Sequence, residues 1–316
     1  MAIYNAYDAI GQREDLTDVI YDISPTETPF MSSIGKTKAT AVYHEWQTDS
    51  LAAATTNNAA VEGADASDAT LSPTTRLGNY TQILQKTIKV SGTLDAVNKA
   101  GRKSEKAYQL AKASQELKRD LETILLSNQG RSAGSSNSTA RKMGSLLSWI
   151  KTNSSVQTNG GDPTTIGVST RTDGNTRTFT ETLLKGVVAE VFTSGGSPKV
   201  LMVGAAGKQK VSSFTGISAY RYNVNGSAAP AAIVGAADIY VSDFGNMAVV
   251  PNRFMRTRDA LILDPEYAAL AYLRPFQTIE LAKAGDADKT QVLVEVTLEV
   301  KNEAAHGIVA DLDMSL

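Results

Sequence analysis

The stretch Ser104-Glu-Lys-Ala-Tyr-Gln-Leu-Ala-Lys-Ala-Ser-Gln-Glu-Leu-Lys-Arg-Asp-Leu-Glu-Thr-Ile-Leu-Leu-Ser-Asn-Gln129 decides how the rest of the chain is read. Ala107, Leu110, Ala111, Leu117, Leu121, Ile124 and Leu125 recur at three-and-four spacing, the signature of a helix with a single apolar stripe. Ser104 is placed to cap its start, and Gly130 to end it in the left-handed conformation. Lys112 with Glu116, and Lys118 with Glu122, are expected to pair across a turn on the polar face. At about 1.5 Å per residue the rod spans roughly 39 Å, so it needs a long surface to lie along. The alternation Val292-Leu-Val-Glu-Val-Thr-Leu-Glu-Val300 puts Val292, Val294, Val296, Leu298 and Val300 on one face of a strand, and that face needs cover.

Working outward, residues 1–34 form an arm of short elements. Arg13 to Ile20 has the length of a two-turn helix, and Pro25 and Pro29 force extended backbone before them. The arm cannot bury Tyr4, Tyr7, Ile20, Tyr21, Phe30 and Met31 by itself. Ala41–Asp49 and Asn79–Ser91 read as strands, with the alternation of the second suggesting pairing with one solvated face. Between them, Leu51 to Pro73 is Ala, Thr, Asn, Asp and Ser with almost no large side chain, which reads as a protruding loop. Beyond the helix, residues 131–138 are a link and 156–176 a Gly/Thr/Asn/Asp loop. Thr178-Phe-Thr-Glu181 resembles a capping box for a helix carrying Leu183, Leu184, Val187, Val188, Val191 and Phe192. Strands at 198–203, 239–241 and 248–250 and a helix at 208–214 complete a compact α/β lobe, and from Arg258 onward the chain is strand and turn.

Composition is poor in chemistry. The 316 residues contain no cysteine and two separated histidines, His44 and His306, so disulfides and thiolate metal sites are excluded and a histidine-rich site has too few ligands. A formal net charge of −2 with scattered Lys and Arg argues against tight nucleic-acid binding. No apolar run reaches the roughly 18 residues of a membrane helix, and the first residues lack the pattern of a signal peptide, so the chain is expected to be cytosolic when made. Gly130-Arg-Ser132-Ala-Gly134 has the letters of a nucleophile elbow, but helix and linker stand where strand and helix are required. Gly204-Ala-Ala-Gly-Lys-Gln209 is two residues short of a phosphate loop and has Gln209 where magnesium needs a hydroxyl. Asp286 and Asp288 begin a calcium-like spacing that goes no further. No catalytic residue, cofactor or metal is assigned.

The phrases Ala9–Leu16, Ile23–Phe30, Glu45–Leu51, Val90–Thr93 and Glu116–Asp120, set in this order of elements, resemble the major capsid proteins of tailed double-stranded DNA bacteriophages, whose fold is shared by lambdoid phages and herpesvirus shells. The resemblance covers nearly the whole chain. It implies an α+β fold with residues 1–45 as N-terminal arm, 46–90 as an extended E-loop hairpin, 91–176 and 254–316 as a peripheral domain with the spine helix and an antiparallel sheet, and 177–253 as an inserted axial domain. It further implies a subunit that self-assembles as hexamers and pentamers into an icosahedral shell in the host cytoplasm. Such a shell encloses DNA without reading its sequence, has portal and cement or decoration proteins as partners, and has no membrane. The chain opens almost directly on the arm, so a helical scaffolding segment is expected to be absent or encoded separately. Arg13, Glu14, Asp15, Trp46, Glu62, Asp65, Asp68 and Arg76 are the expected subunit contacts. The alternative is a soluble hydrolase or binding module with its site in the 177–253 lobe, which lacks a convergent catalytic set. Ser132→Ala is therefore expected to leave particle formation unchanged, and loss of a hydrolytic activity on that substitution would overturn the shell reading.

Overall fold

In the computed structural model of the chain, the described residues are 24–63, 65, 68–98, 101–135, 138–214, 238–283 and 285–314. The expected helix at Arg13–Ile20 lies outside them. In chain order the described elements are α1 (Pro29–Ser33), β1 (Gly35–Lys38), β2 (Tyr43–Thr48), β3 (Thr75–Tyr80), β4 (Gln82–Ser91), α2 (Gly92–Ala96) and the long α3 (Glu105–Leu125). After it come α4 (Leu146–Trp149), β5 (Ser154–Ser155), β6 (Arg177–Thr178), α5 (Glu181–Thr193), β7 (Val200–Val203), α6 (Ala205–Ser212), β8 (Ile239–Ser242) and β9 (Gly245–Pro251). The chain closes with β10 (Ala260–Leu263), β11 (Ala268–Leu281), β12 (Ala287–Val300), β13 (Gly307–Val309) and β14 (Leu312–Asp313).

The spine helix starts where its sequence says, with the Ser104 hydroxyl accepting the Ala107 amide at 3.3 Å. It ends sooner, at 21 residues. Gly130 does not take the left-handed conformation. Its lack of a side chain serves a close approach instead, since a Cβ there would lie 1.9 Å from the Val168 carbonyl oxygen. The buried apolar stripe is Ala113, Leu117, Leu121 and Leu125, with Leu110 partly buried against it, while Ala107 and Ala111 are exposed. Neither helix-surface pair forms as expected. Glu116 pairs with Lys86 of β4 at 2.9 Å, and Glu122 turns inward, away from Lys118.

A four-stranded sheet in the order β1-β11-β12-β4 receives the stripe. Val292, Val294, Val296, Leu298 and Val300 are all buried in one cluster with Leu117, Leu121 and Leu125, as the two matching apolar faces require. Burying a side chain of this size contributes about 1.5–3 kcal/mol, so this contact is the main support of the layer. The strand run at 79–91 is divided at Thr81. Residues before it pair with β2 and those after it with β12, because the Thr81 amide bonds to Val42 while its hydroxyl donates to Glu295 at 2.9 Å. Residues 268–273 and 276–281 are one strand rather than two, with register shifts about Arg274 that accommodate Pro275 and its missing N–H.

A six-stranded sheet, in the order β5-β13-β10-β7-β9-β8, stands beside it. β10 shows why it is a wall and not a surface: Leu261 and Leu263 face the spine cluster, whereas Ala260 and Ile262 face a second cluster with Leu184, Val187, Val188 and Val191 of α5. The sheet entered by residues 177–253 thus also takes β5, β10 and β13 from outside that range. The cap of α5 is Thr180, accepting the Leu183 amide, two residues beyond the expected Thr178, and Phe192 points outward rather than into the stripe.

Three segments meet at Glu122. This carboxylate has no exposed surface and accepts the amides of Phe30 at 2.7 Å and Met31 at 2.9 Å, at the start of α1, and the Asn252 side-chain amide at 2.7 Å, where β9 leaves its sheet. Phe30 and Met31 are consequently buried by their own chain, not by a neighbour. Leu117→Ala should lower stability by about 2–5 kcal/mol through lost burial and a cavity. Glu122→Gln, which sets an amide donor against these donors, should cost about 1–3 kcal/mol. Calorimetric unfolding checks both, and midpoints within a degree of the parent would show that the stripe or the carboxylate is not buried as described.

Candidate assembly surfaces

The strongest departure from a self-sufficient fold is the extension carried by β2 and β3. These strands pair from Tyr43↔Tyr80 to Thr48↔Thr75, and beyond them the described residues of 51–73 form no strand or helix and are exposed throughout. Leu51, Val61 and Leu71 are 99%, 79% and 89% exposed, three aliphatic side chains without cover among the described residues. Glu62, Asp65 and Asp68 stand on the same loop, exposed, with no ion pair among the described residues. Arg76 pairs with Glu45 across the hairpin base at 3.1 Å. Trp46 packs inward, its ring 5.3 Å from that of Trp149. Arg13, Glu14 and Asp15 lie outside the described residues. The structure therefore brings Trp46 and Arg76 to the hairpin base, sets the three acids on its tip, and leaves the aliphatic trio as the feature that composition alone concealed.

The base of the hairpin is held by polar nodes. Glu295, buried in β12, accepts Arg141 and Arg274 at 2.7 Å each and the Thr81 hydroxyl, tying the 131–142 loop to the point where the chain changes sheets. His44 lies 3.2 Å from Glu299, which also accepts the Thr37 hydroxyl, so β1 and β2 meet on one carboxylate. Asn79 uses its amide twice, to the carbonyls of Gly144 and Leu298, and accepts the Gly144 amide.

A second charged cluster fixes the 156–176 loop. Arg171, almost wholly buried, donates to the Ile150 carbonyl at 2.8 Å and pairs with Asp162. Arg256 grips both oxygens of Asp173 at 2.6 Å, which holds that carboxyl below its usual range. Asp311, in the left-handed conformation at φ 60°, accepts Gly174 and Arg258. Asp259 is the exception. Its Oδ2 is 3.3 Å from Arg256 Nη1 without hydrogen-bond geometry, and burial pushes its carboxyl up to about 6.

The positions weighed for chemistry have structural partners. Ser132 accepts the Gly134 amide and bridges to Lys142 in a small hairpin. Lys208, expected in a turn, lies instead within α6 and donates to the Val249 carbonyl at 2.7 Å. His306 is buried with its Nδ1 accepting the Asp264 amide, and Asp288 pairs with Lys283 at 2.6 Å. Among the described residues no three His, Asp or Glu side chains gather as a metal site would need.

A spine helix laid on a mixed sheet, antiparallel except where β1 joins β11, a central two-faced sheet and an extended hairpin are the parts of a shell-forming subunit. Comparison with solved structures gives the same answer for the fold: the capsid asymmetric unit of Cyanophage A-1(L) has a TM-score of 0.64 at 11% identity, covering 95% of this chain and 97% of that one. The capsid of a native GTA particle gives 0.62 at 13%, covering 98% and 97%. Residues 3–313 match the family model of the SU10 major capsid protein, and the chain belongs to that family. It is 28% identical to the major capsid protein of Escherichia phage Phieco32, over 97% of this chain and 96% of that protein. Its role is that of a structural subunit, many copies of which form a phage capsid shell.

Asp259 supplies a pH test of the loop cluster. Because its folded value lies above the ordinary carboxylate range, its contribution to stability is fully present below about pH 4 and is lost as pH rises through about 6. Asp259→Asn removes that loss, so the variant's melting midpoint should match the parent near pH 4 and exceed it at neutral pH. A constant difference at both pH values would contradict the assignment.

Proposed function

We propose that the 46–90 segment is an E-loop laid over a neighbouring copy, that residues 1–45 are an arm reaching across subunits, and that the shell is built of hexamers and pentamers around double-stranded DNA. In this reading the spine helix and the four-stranded sheet form the peripheral domain, residues 177–253 contribute the axial part, and the chain has no enzymatic role. Arg13, Glu14, Asp15, Glu62, Asp65, Asp68 and Arg76 supply polar contacts between copies, and Trp46 stiffens the hairpin base. The observation that carries this is the loop at 51–73, which exposes Leu51, Val61 and Leu71 with nothing among the described residues to cover them. Ordering a backbone residue costs about 1–2 kcal/mol, and a loop with so little apolar area offsets that only against another surface. The net charge of −2 suits a shell that encloses DNA without gripping it. Assembly in the bacterial cytoplasm, with portal and decoration proteins as partners, belongs to the same proposal.

A broad-specificity protease should cut the free subunit within residues 51–73 and leave that stretch intact in the assembled particle. Equal cleavage and equal hydrogen exchange in both states would remove the E-loop assignment.

A further inference from the structure

The tip of the 156–176 loop carries a chemical liability that the charged cluster encloses. Asn159 is exposed and takes φ 65° at the third position of a turn over residues 157–160, which the Gly160 amide closes on the Gln157 carbonyl at 2.8 Å. Asparagine is one of the few residues other than glycine that tolerate this conformation, so the turn explains why it stands there. The residue after it makes it reactive. An asparagine followed by glycine is thermolabile because no side chain shields the next backbone nitrogen from the asparagine's own carboxamide carbon.

That nitrogen is guarded by Asp311, which is 2% exposed. Its Oδ2 accepts the Gln157 amide at 3.2 Å, and its Oδ1 accepts the Gly174 amide at 2.7 Å and Arg258 at 3.0 Å, so one carboxylate joins the two sides of the loop. The sides run so close that a Cβ on Gly174 would lie 2.5 Å from the Gly160 nitrogen, and one on Gly160 would lie 2.3 Å from Asp311 Oδ2. The Asn175 amide adds a bond to the Thr158 carbonyl at 3.0 Å, and Gly161 and Thr172 exchange both of their backbone bonds. With its N–H committed and a second backbone against it, the Gly160 nitrogen is not free to turn toward the Asn159 side chain. Asp173-Gly174, the acidic counterpart of the same reactive pair, faces it, and its glycine amide is held by the same Asp311.

We propose that Asn159-Gly160 is a site of spontaneous deamidation which Asp311 holds shut, and that each opening of this loop exposes it to modification. In the step, the Gly160 nitrogen gives its proton to solvent base and attacks Asn159 Cγ, forming the new C–N bond of a cyclic imide. The side-chain nitrogen of Asn159 takes up a proton and leaves as ammonia. Water then adds to one of the two imide carbonyls and breaks its bond to the Gly160 nitrogen, with no change of oxidation state. One route leaves aspartate in the ordinary linkage; the other leaves isoaspartate, whose backbone runs through the side chain and is one carbon longer. Both put a new carboxylate at the loop tip, and the longer backbone no longer matches the turn that Gln157 closes. A loop that has opened and reacted therefore keeps a permanent record of the opening. The inference concerns a single subunit and stands apart from the shell reading.

The test incubates the full-length free subunit at mildly alkaline pH and follows aspartate and isoaspartate at residue 159 by peptide mapping. Conversion in the folded parent should be at least about tenfold slower than in the same chain unfolded in urea. Asp311→Asn keeps the size of the side chain and suits the left-handed backbone, but it loses the charge that holds Arg258 and one of the two acceptor oxygens. At a temperature well below its melting midpoint it should convert about tenfold faster than the parent. Equal rates in the folded and unfolded parent would overturn the proposed protection, and no conversion in urea would overturn the site itself. A parental rate in the folded Asp311→Asn variant also overturns the proposal, because the carboxylate then does not hold the loop. If that variant does not fold, Arg258→Gln, which removes one partner of Asp311, takes its place: faster conversion supports the proposal and a parental rate overturns it.

Discussion

Glu122 is a carboxylate without solvent, held by three N–H donors from two distant parts of the chain, with no cation among its hydrogen-bond partners. Burial raises its pKa despite the three hydrogen bonds, so desolvation outweighs the donors and the charge is costly to keep there. What that cost secures is position. The first turn of α1, the C-terminal part of the spine helix and the exit from the six-stranded sheet are fixed to one another at a single group, and a shift of any one segment breaks its own hydrogen bonds to the carboxylate. Buried polar groups that are fully paired specify one arrangement where apolar packing alone tolerates several.

The two layers on either side follow from that junction. The spine helix can lie along β12 only if the chain before it and the lobe after it are out of the way, and Glu122 holds both. The six-stranded sheet then stands between two apolar clusters, with alternate residues of β7 and β10 serving each. In such a wall a one-residue slip would move every side chain to the wrong cluster, which pins its register. Against this rigid centre, the hairpin extension is the part that buries little and exposes apolar side chains.

Much of this was legible in the chain because periodicity reports burial. The Leu117, Leu121 and Leu125 stripe and the Val292 to Val300 face could be matched before any coordinates, and the poverty of 51–73 marked it as a loop that leaves the core. The phrases around 23–30, 45–51 and 116–120 carried the resemblance to phage coat proteins. What sequence hid was pairing over long distances. Glu122 sits beside Leu121 at the border of the stripe and looked like half of a surface pair with Lys118, since nothing local reveals that the amides of residues 30 and 31 lie opposite. The change of partner sheet at Thr81 was hidden for the same reason, as its cause is Glu295, more than two hundred residues away. Ala107 and Ala111 continue the stripe in letters but extend past the surface that covers it. Phe192 falls on the apolar side by spacing, yet one residue of rotation takes it out to Phe244. The aliphatic trio in the 51–73 loop was overlooked because its members are ten residues apart in a polar background.

The claim on which the account turns is that Glu122 anchors the arm to the spine helix. Residue-resolved hydrogen exchange on the amides of Phe30 and Met31 measures it directly. If the carboxylate accepts both, they should exchange as slowly as the ladder amides of β12, although they lie at the first turn of a five-residue helix near the end of the described chain. Exchange as fast as that of the exposed 51–73 amides would show that the arm is not anchored there and would contradict the account.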